Sequence, residues 1–183
     1  MNKIIVPSLL AAIVIFVWSF ISWAVIGWHM IDLNNIPDES IAMSMKETMS
    51  EKGIYLYPGF PAEGEQGSVA WTQKHLAGPL MFIVYDPNGS EPMEPMIFVK
   101  GFILNFITAF MAAVLLFMTL AQNPSFWRRV TFVVLLGLFA GLVFPFSEWN
   151  WWGFPLGYTL VSVADGILTW FFAGLILAWH IKP

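Results

Sequence analysis

Asp165 is the residue best placed to do chemistry in this sequence, because it is the only acidic residue deep inside an apolar stretch. It follows the start of the fourth such stretch by about ten residues, which places it ~15 Å below the end of a helix. A carboxylate at that depth in a membrane is costly and is usually paired or functional. We therefore take Asp165 as the centre of a candidate site.

Polar side chains recur at helical spacing along three of the apolar stretches and are candidate partners of Asp165. On the fourth stretch, spacings of four, three and four residues give one stripe of Tyr158, Ser162, Asp165 and Thr169. Asn105 shares a face with Gly101, Thr108 and Ala112, and Ser19 and Ser22 share one with Ala12. Because Asn105 and Ser19 lie ~12 to 14 Å from their outer helix ends, we predict that they meet Asp165 at one level.

Two interpretations of this polar cluster remain open. In the first, hydrogen bonds of ~0.5 to 2 kcal/mol each hold the helices together. In the second, Asp165 is a protonatable carboxylate on a proton or ion path, or it holds the headgroup of a bound lipid or quinone. No second acidic or basic residue continues the route towards the cytoplasm, which favours the first interpretation.

Two glycines of the third apolar stretch, Gly137 and Gly141, are four residues apart and next to Ala140. Small residues at this spacing allow another helix to approach closely. We interpret them as helix-packing residues, and the sequence leaves open whether the partner helix belongs to this chain or to another copy.

Metal and cofactor chemistry has limited support. The chain has no cysteine, so it can form neither a disulfide nor a thiolate metal site. The weak candidates for Cu(I) are thioethers and imidazoles, namely Met43, Met45, Met49, His29 and His75. Methionines at such spacing are more often adaptable packing residues. His29 and His180 lie at opposite ends of their membrane helices and cannot bind the same haem. No cofactor is predicted, and a bound lipid is the alternative.

The apolar stretches that position these residues are long enough to cross a bilayer. Of 183 residues, 58% are hydrophobic and 11% charged. We predict an all-α membrane protein, a four-transmembrane-helix bundle with a small α+β cap between helices 1 and 2. The predicted helices are residues 4–28, 97–121, 127–146 and 156–180, with the cap at 29–96 and a Trp-rich outer loop at 147–155.

The distribution of charge predicts the orientation. Lys3, Arg128, Arg129 and Lys182 lie on one side, which by the positive-inside rule is cytoplasmic. Both termini are therefore expected inside, and the cap in the periplasm or outside the cell. Residues 30–96 carry ten acidic side chains against three lysines, a formal charge of −7, which argues against a nucleic-acid partner.

The cap itself shows a pattern of short elements. The run from Asp38 to Lys52 predicts an amphipathic helix, and residues 54–57 and 80–85 predict two strands. Residues 60–67 predict an exposed loop. Aromatic residues are expected to anchor the chain at the membrane interface, and these are Trp28, Trp149, Trp151 and Trp152.

Several of these features resemble a known group of proteins. Phe126-Trp127-Arg128-Arg129, the run Trp149 to Phe154, Tyr158-Thr159-Leu160 with Asp165, and Trp28-His29 are similar to an uncharacterised family of bacterial four-span inner-membrane proteins. The resemblance implies a bacterial inner membrane and the same topology. It implies no activity.

No serine with a neighbouring base, and no other catalytic motif, is recognisable. We therefore expect a non-enzymatic membrane protein that acts by assembly, as a homo-oligomeric scaffold or as an accessory subunit of a membrane complex, with lipids as further partners. The alternatives are a small oligomeric channel or transporter that uses Asp165, and a periplasmic Cu(I) or redox accessory protein.

Overall fold

The computed structural model describes residues 2–64 and 67–183, so Glu65 and Gln66 of the predicted loop lie outside the described residues. In chain order the elements are α1 (Asn2–Phe20), a π-helical turn (Ile21–Ile26), a 3-10 turn (Trp28–Asp32), α2 (Glu39–Thr48), β1 (Gly53–Tyr57), α3 (Val69–Ala77), β2 (Met81–Tyr85), α4 (Pro95–Met118), a 3-10 turn (Leu120–Gln122), α5 (Phe126–Trp152) and α6 (Leu156–His180).

The chain divides into two units. The helical unit comprises the residues up to Asn34 and those from Met93 to Pro183, and the inserted unit comprises Asn35–Pro92. The helical unit contains four helices that are long and apolar enough to cross a membrane. The chain is therefore an all-α, four-helix membrane protein with a small two-stranded sheet.

The helices of the helical unit pack most closely at glycine residues. Helix α5 lies along α6, where Trp170 covers Gly137, Val163 covers Gly141 and Val133 packs on Gly174. The helix that approaches Gly137 and Gly141 is thus α6 of the same chain. Helix α1 packs against α4 and α6, whereas α4 has few contacts with α5.

The core of the helical unit is formed by the middle of α1, the first turns of α5 and the last turns of α4 and α6. Its members are almost completely shielded and mostly small, which lets the helix backbones approach closely. They include Ala11, Ile15, Ala109, Ala112, Ala113, Leu116, Val133, Ala173, Leu177 and Ile181.

Helix α5 extends beyond the predicted boundary at Phe146. It continues through Pro145 and the aromatic run to Trp152, so most of the predicted outer loop is helical. Gly153 ends the helix in the left-handed conformation with φ = +70°, and its N–H bonds to the Glu148 carbonyl. Glycine is the residue that adopts this conformation most readily. The termination signal was therefore Gly153, not the polar residues before it.

The inserted unit consists of α2, α3 and an antiparallel pair of strands in which Ile54 lies opposite Val84. The two strands occur close to their predicted positions. Helix α2 is shorter than predicted, and it begins where the Asp38 side chain accepts a hydrogen bond from the Ser40 N–H. Helix α3 was not predicted, although Ser68 provides its N-cap by accepting from the Trp71 N–H at 3.2 Å.

The described part of the inserted unit contains no fully shielded apolar core. Among its described residues, none is buried. Several of its large apolar side chains are exposed, including Ile54, Phe60, Leu76 and Val84, whereas Trp71 and Phe82 are half-buried. An isolated two-stranded sheet is at best marginally stable in water. The two units therefore differ in how much of their stability they can supply themselves.

Candidate functional site

The candidate site is built around the Asp165 carboxylate in α6. Its Oδ1 atom accepts two hydrogen bonds, from Trp18 Nε1 at 2.8 Å and from Ser22 Oγ at 2.7 Å. The Oδ2 atom lies 3.6 Å from His29 Nε2, too far for a good hydrogen bond but close enough for an ion pair. The Asp165 side chain is 17% exposed and that of His29 is 4% exposed.

Ser22 links the other members of this cluster and is completely buried. Its Oγ accepts from Trp28 Nε1 at 2.8 Å and lies 3.0 Å from His29 Nε2. A hydroxyl has one proton to donate and can accept two hydrogen bonds. Since that proton goes to Asp165, His29 must donate, so its Nε2 carries a proton in this arrangement.

An irregular turn at the end of α1 brings His29 back over Ser22. Residues 21–26 form a π-helical turn, in which the Gly27 N–H bonds to the Ser22 carbonyl at 3.2 Å. Gly27 has φ = +68°, a conformation that a side chain would strain, and the chain then enters the 3-10 turn that contains His29. Single π-helical turns inside helices are rare and occur frequently at functional sites.

Asp32 fixes this 3-10 turn against the start of α6. Its Oδ2 accepts the Tyr158 N–H at 2.7 Å, which satisfies one of the unpaired donors of the first helical turn. A Cβ atom at Gly157 would lie 2.5 Å from the same oxygen, so the close approach requires glycine there. The contact positions His29, three residues earlier, near Asp165.

Aromatic rings hold the His29 imidazole in one orientation. The ring of Trp23 stacks on it with a centroid distance of 4.0 Å and an interplanar angle of 3°. Trp28 meets it edge-on at 5.9 Å. The two rings therefore restrict the orientation of the imidazole.

The predicted polar residues separate into those that reach Asp165 and those that do not. Ser22 reaches it and donates a hydrogen bond to Oδ1. The Ser19 hydroxyl donates instead to the Ile15 carbonyl, and the Ser162 hydroxyl donates to the Tyr158 carbonyl. In the part of the chain that the structure describes, no hydrogen bond joins Asn105 or Thr169 to Asp165.

Sequence reasoning named His29 only as a candidate Cu(I) ligand and Trp28 only as an interface anchor. It did not place these two residues or Trp18 beside Ser22 and Asp165. A period of 3.6 residues places His29 at a helix end, and only the π-helical turn brings it to Ser22. The signal that could have suggested a reversal was Gly27 directly before Trp28 and His29.

A second buried charge, Arg129, lies at the opposite end of the helical unit. Its guanidinium donates to the Ala178 carbonyl at 3.2 Å and to the Asn123 and Pro124 carbonyls at 3.3 and 2.8 Å. The Ala178 carbonyl belongs to the last turn of α6, where a cation is favourable. All these partners are backbone carbonyls, so Arg129 joins the last turn of α6 to the segment directly before α5.

The metal candidates are divided between the two units. His29 belongs to the polar cluster of the helical unit, whereas Met43, Met45 and Met49 lie in or directly after α2. His75, in α3, packs on Trp71, and its Nδ1 lies 3.3 Å from the Trp71 carbonyl oxygen. Among the described residues, no three His, Cys, Asp or Glu side chains are grouped as metal ligands.

The arrangement suits proton exchange better than nucleophilic attack. A catalytic serine donates its hydroxyl to a histidine that a carboxylate orients from the other ring nitrogen. Here Ser22 is inaccessible and donates to the carboxylate itself.

No known protein family, no curated protein and no solved structure matches this chain.

Proposed function

We infer that this protein acts by assembly and without catalysis, as a membrane subunit that binds either further copies of itself or other chains. One observation carries the proposal: none of the described residues of the inserted unit is buried. A folded unit that exposes its apolar side chains gains stability when a partner covers them.

The sheet of the inserted unit supplies the main contact surface in this proposal. Ile54 and Val84 face each other across the strands and are 64% and 77% exposed. Cross-strand apolar pairs stabilise a sheet when another layer packs on them. We call this pair and its neighbours Leu56 and Phe82, which share their face, the sheet patch.

Charge selects the partner surface. The segment around the inserted unit is strongly acidic. One of its three lysines, Lys52, is already paired with Asp86, with Nζ 2.8 Å from Oδ2. Oppositely charged rims accelerate encounter and exclude wrong partners. The partner of the sheet patch is therefore expected to have an apolar centre with a basic rim.

Helix α4 supplies a second contact surface, within the membrane. The Asn105 side chain is partly exposed and, in the described part of the chain, makes no hydrogen bond. A Cβ atom added at Gly101, one turn earlier, would meet nothing within 4 Å. An amide in hydrocarbon gains from a hydrogen bond to another helix, which favours a neighbouring transmembrane helix at this face.

The proposed setting is a bacterial inner membrane with both termini in the cytoplasm and the inserted unit in the periplasm. Its support is the distribution of Lys3, Arg128, Arg129 and Lys182, which lie at one end of the four spans. Trp149, Trp151 and Trp152 form the last turn of α5, and all three are exposed as interface anchors and lipid contacts would be.

A second candidate function is a small oligomeric channel or transporter that uses Asp165. The observation that favours it is the partial exposure of this carboxylate, whose Oδ2 lacks a close donor among the described residues. Unchanged ion or proton flux in Asp165→Asn proteoliposomes would reject it.

The Cu(I) role of the methionines and His75 stays a prediction without a geometric argument, and a Cu(I) titration tests it.

Cysteine cross-linking tests the assembly proposal cleanly, since the native chain has no thiol. Gly101→Cys and Ile54→Cys place one thiol on each surface. Ile103→Cys is the control, because Ile103 is 50% exposed and lies two residues from Gly101 and from Asn105, on the opposite side of α4. We expect Gly101→Cys or Ile54→Cys to give a cross-linked species in native membranes, and Ile103→Cys to give less. Equal cross-linking at all three positions would reject the surfaces.

A further inference from the structure

We propose that His29, Ser22 and Asp165 form a relay that takes up one proton and stores it on Asp165. The proposal goes beyond assembly and does not depend on it. Three observations carry it: the Ser22 hydroxyl lies within 2.7 Å of Asp165 Oδ1 and 3.0 Å of His29 Nε2, all three residues are largely shielded, and Ser22 can reverse its direction of donation.

Before proton uptake, the hydrogen bonds run from His29 to Ser22 to Asp165. The imidazole is neutral with its proton on Nε2, which donates to Ser22 Oγ, while the Ser22 hydroxyl donates to Asp165 Oδ1. Trp28 Nε1 and Trp18 Nε1 donate into the same network and keep the serine and the carboxylate in place. Asp165 is ionised in this state.

The added proton first binds Nδ1 of His29 and gives an imidazolium. The Nε2 proton then moves to Ser22 Oγ as the Ser22 proton moves to Asp165 Oδ1. At the end Asp165 is a neutral acid, His29 is neutral with its proton on Nδ1, and Ser22 donates to Nε2. One proton is taken up, no bond between heavy atoms changes, and the tautomer of His29 is reversed.

His29 is the entrance of the relay. Its Nδ1 makes no hydrogen bond among the described residues, and 4% of the side chain is exposed. The proposal takes Nδ1 as the atom that receives the added proton. The parallel face of Trp23, 4.0 Å away, stabilises the transient imidazolium by a cation–π interaction.

Few other charges act on this site. On the 3-10 turn, Asp32 is engaged by the Tyr158 N–H. The remaining charged or titratable groups of the elements packed around the site belong to four helices. They are Lys3 on α1, Lys100 on α4, Arg128, Arg129 and Glu148 on α5, and Tyr158 and His180 on α6. Lys3 and His180 lie at the opposite end of their helices. Among the described residues, Asp165 is the carboxylate to which the Ser22 hydroxyl donates.

The relay ends at Asp165. From Gly166 to Trp179, helix α6 carries no acidic or basic side chain that could accept the proton next. The stored proton therefore reports the pH at the His29 side of the protein. Neutralising Asp165 removes the charge assistance from the Trp18 and Ser22 hydrogen bonds, which weakens the contact between α1 and α6.

The test follows the tautomer of His29 by ¹⁵N NMR in lipid nanodiscs, with His75→Gln and His180→Gln removing the other two imidazoles. On acidification we expect the proton of the neutral ring to change from Nε2 to Nδ1, together with a protonated-carboxyl infrared band that Asp165→Asn removes. Ser22→Ala should abolish the tautomer change and slow proton uptake by Asp165 at least ~10-fold, in line with the usual contribution of a positioned proton donor.

Ser162→Ala is the matched control, because its hydroxyl bonds only to its own helix, and both signals should persist in it. An imidazole that becomes doubly protonated without a tautomer change, or a carboxyl band that survives Asp165→Asn, would overturn the relay. If Asp165→Asn does not fold, the tautomer change in wild type and its loss in Ser22→Ala decide the question alone.

Discussion

The helical unit and the inserted unit bury their side chains to very different degrees. The helical unit has completely shielded residues from four helices, such as Ala113, Leu116 and Leu177, and it also buries the polar residues Ser22 and Arg129. The inserted unit has regular helices and strands, but among its described residues none is buried.

The difference teaches where each unit obtains its stability. Close packing and satisfied polar groups stabilise the helical unit from within. Regular hydrogen bonding alone does not stabilise a small unit that buries little apolar surface. Substitutions in the helical unit should therefore lower its own free energy of unfolding, whereas those in the inserted unit should lower binding to a partner.

The largest expected effect is at Arg129. Arg129→Ala leaves the carbonyls of Asn123, Pro124 and Ala178 without their donor, and we expect the free energy of unfolding to fall by about 2–4 kcal/mol. The neighbouring exposed Arg128→Ala is the control and should change it by less than about 0.5 kcal/mol. Denaturant unfolding in detergent measures both, and equal losses would show that Arg129 is not held as described.

Next in size is Gly137→Ala, in the seam between α5 and α6. The new Cβ would lie 2.3 to 2.5 Å from the Cδ1, Cβ and Cγ atoms of Trp170. Such overpacking typically costs about 1–3 kcal/mol. Gly166→Ala, where nothing lies within 4 Å, should be neutral or slightly stabilising. A thermal melt that ranks the two variants in the opposite order would contradict the packing of this seam.

In the inserted unit, Ile54→Ser should have little effect on the chain itself. Because Ile54 is 64% exposed, we expect the free energy of unfolding to change by no more than about 0.5 kcal/mol. The same substitution should reduce the amount of partner or second copy recovered from native membranes. A large loss of stability without a loss of partner would remove the contrast between the two units.

The smallest effect is expected from Lys52 and Asp86, an exposed pair. The hydrogen bond from Lys52 holds the pKa of Asp86 below its ordinary value of 3.8. A carboxyl with a lowered pKa contributes stability above the ordinary value and loses it as the pH falls through the folded-state value. The contribution should therefore be complete at neutral pH and disappear only below pH 3.8. Carboxyl NMR should show the pKa rising in Lys52→Gln and unchanged in Lys46→Gln.

Sequence patterns predicted the helices and strands better than the site. Apolar length was sufficient for the four spans because hydrocarbon thickness sets it. The site depends on the π-helical turn, whose extra residue per turn breaks the 3.6-residue period from which depths and faces were derived. The turn brings His29 and Trp28 back to Ser22, a contact that the helical period did not predict.

Arg129 gives the same lesson at the other end. Next to Arg128, it was predicted as one of four basic residues that set the orientation. Successive residues on a helix point ~100° apart, so one arginine is exposed while its neighbour enters the bundle and meets the end of α6. The sequence marks the pair of charges, and only the packing of α5 on α6 distinguishes their roles.

The most direct test of the assembly proposal is native mass spectrometry of the complex extracted gently from its own membrane, with lipids and metals retained. The account predicts a mass above that of one chain, either a defined homo-oligomer or a complex with other subunits, and predicts that Ile54→Ser or Asn105→Leu reduces it. A monodisperse monomer with no other chain bound would contradict it.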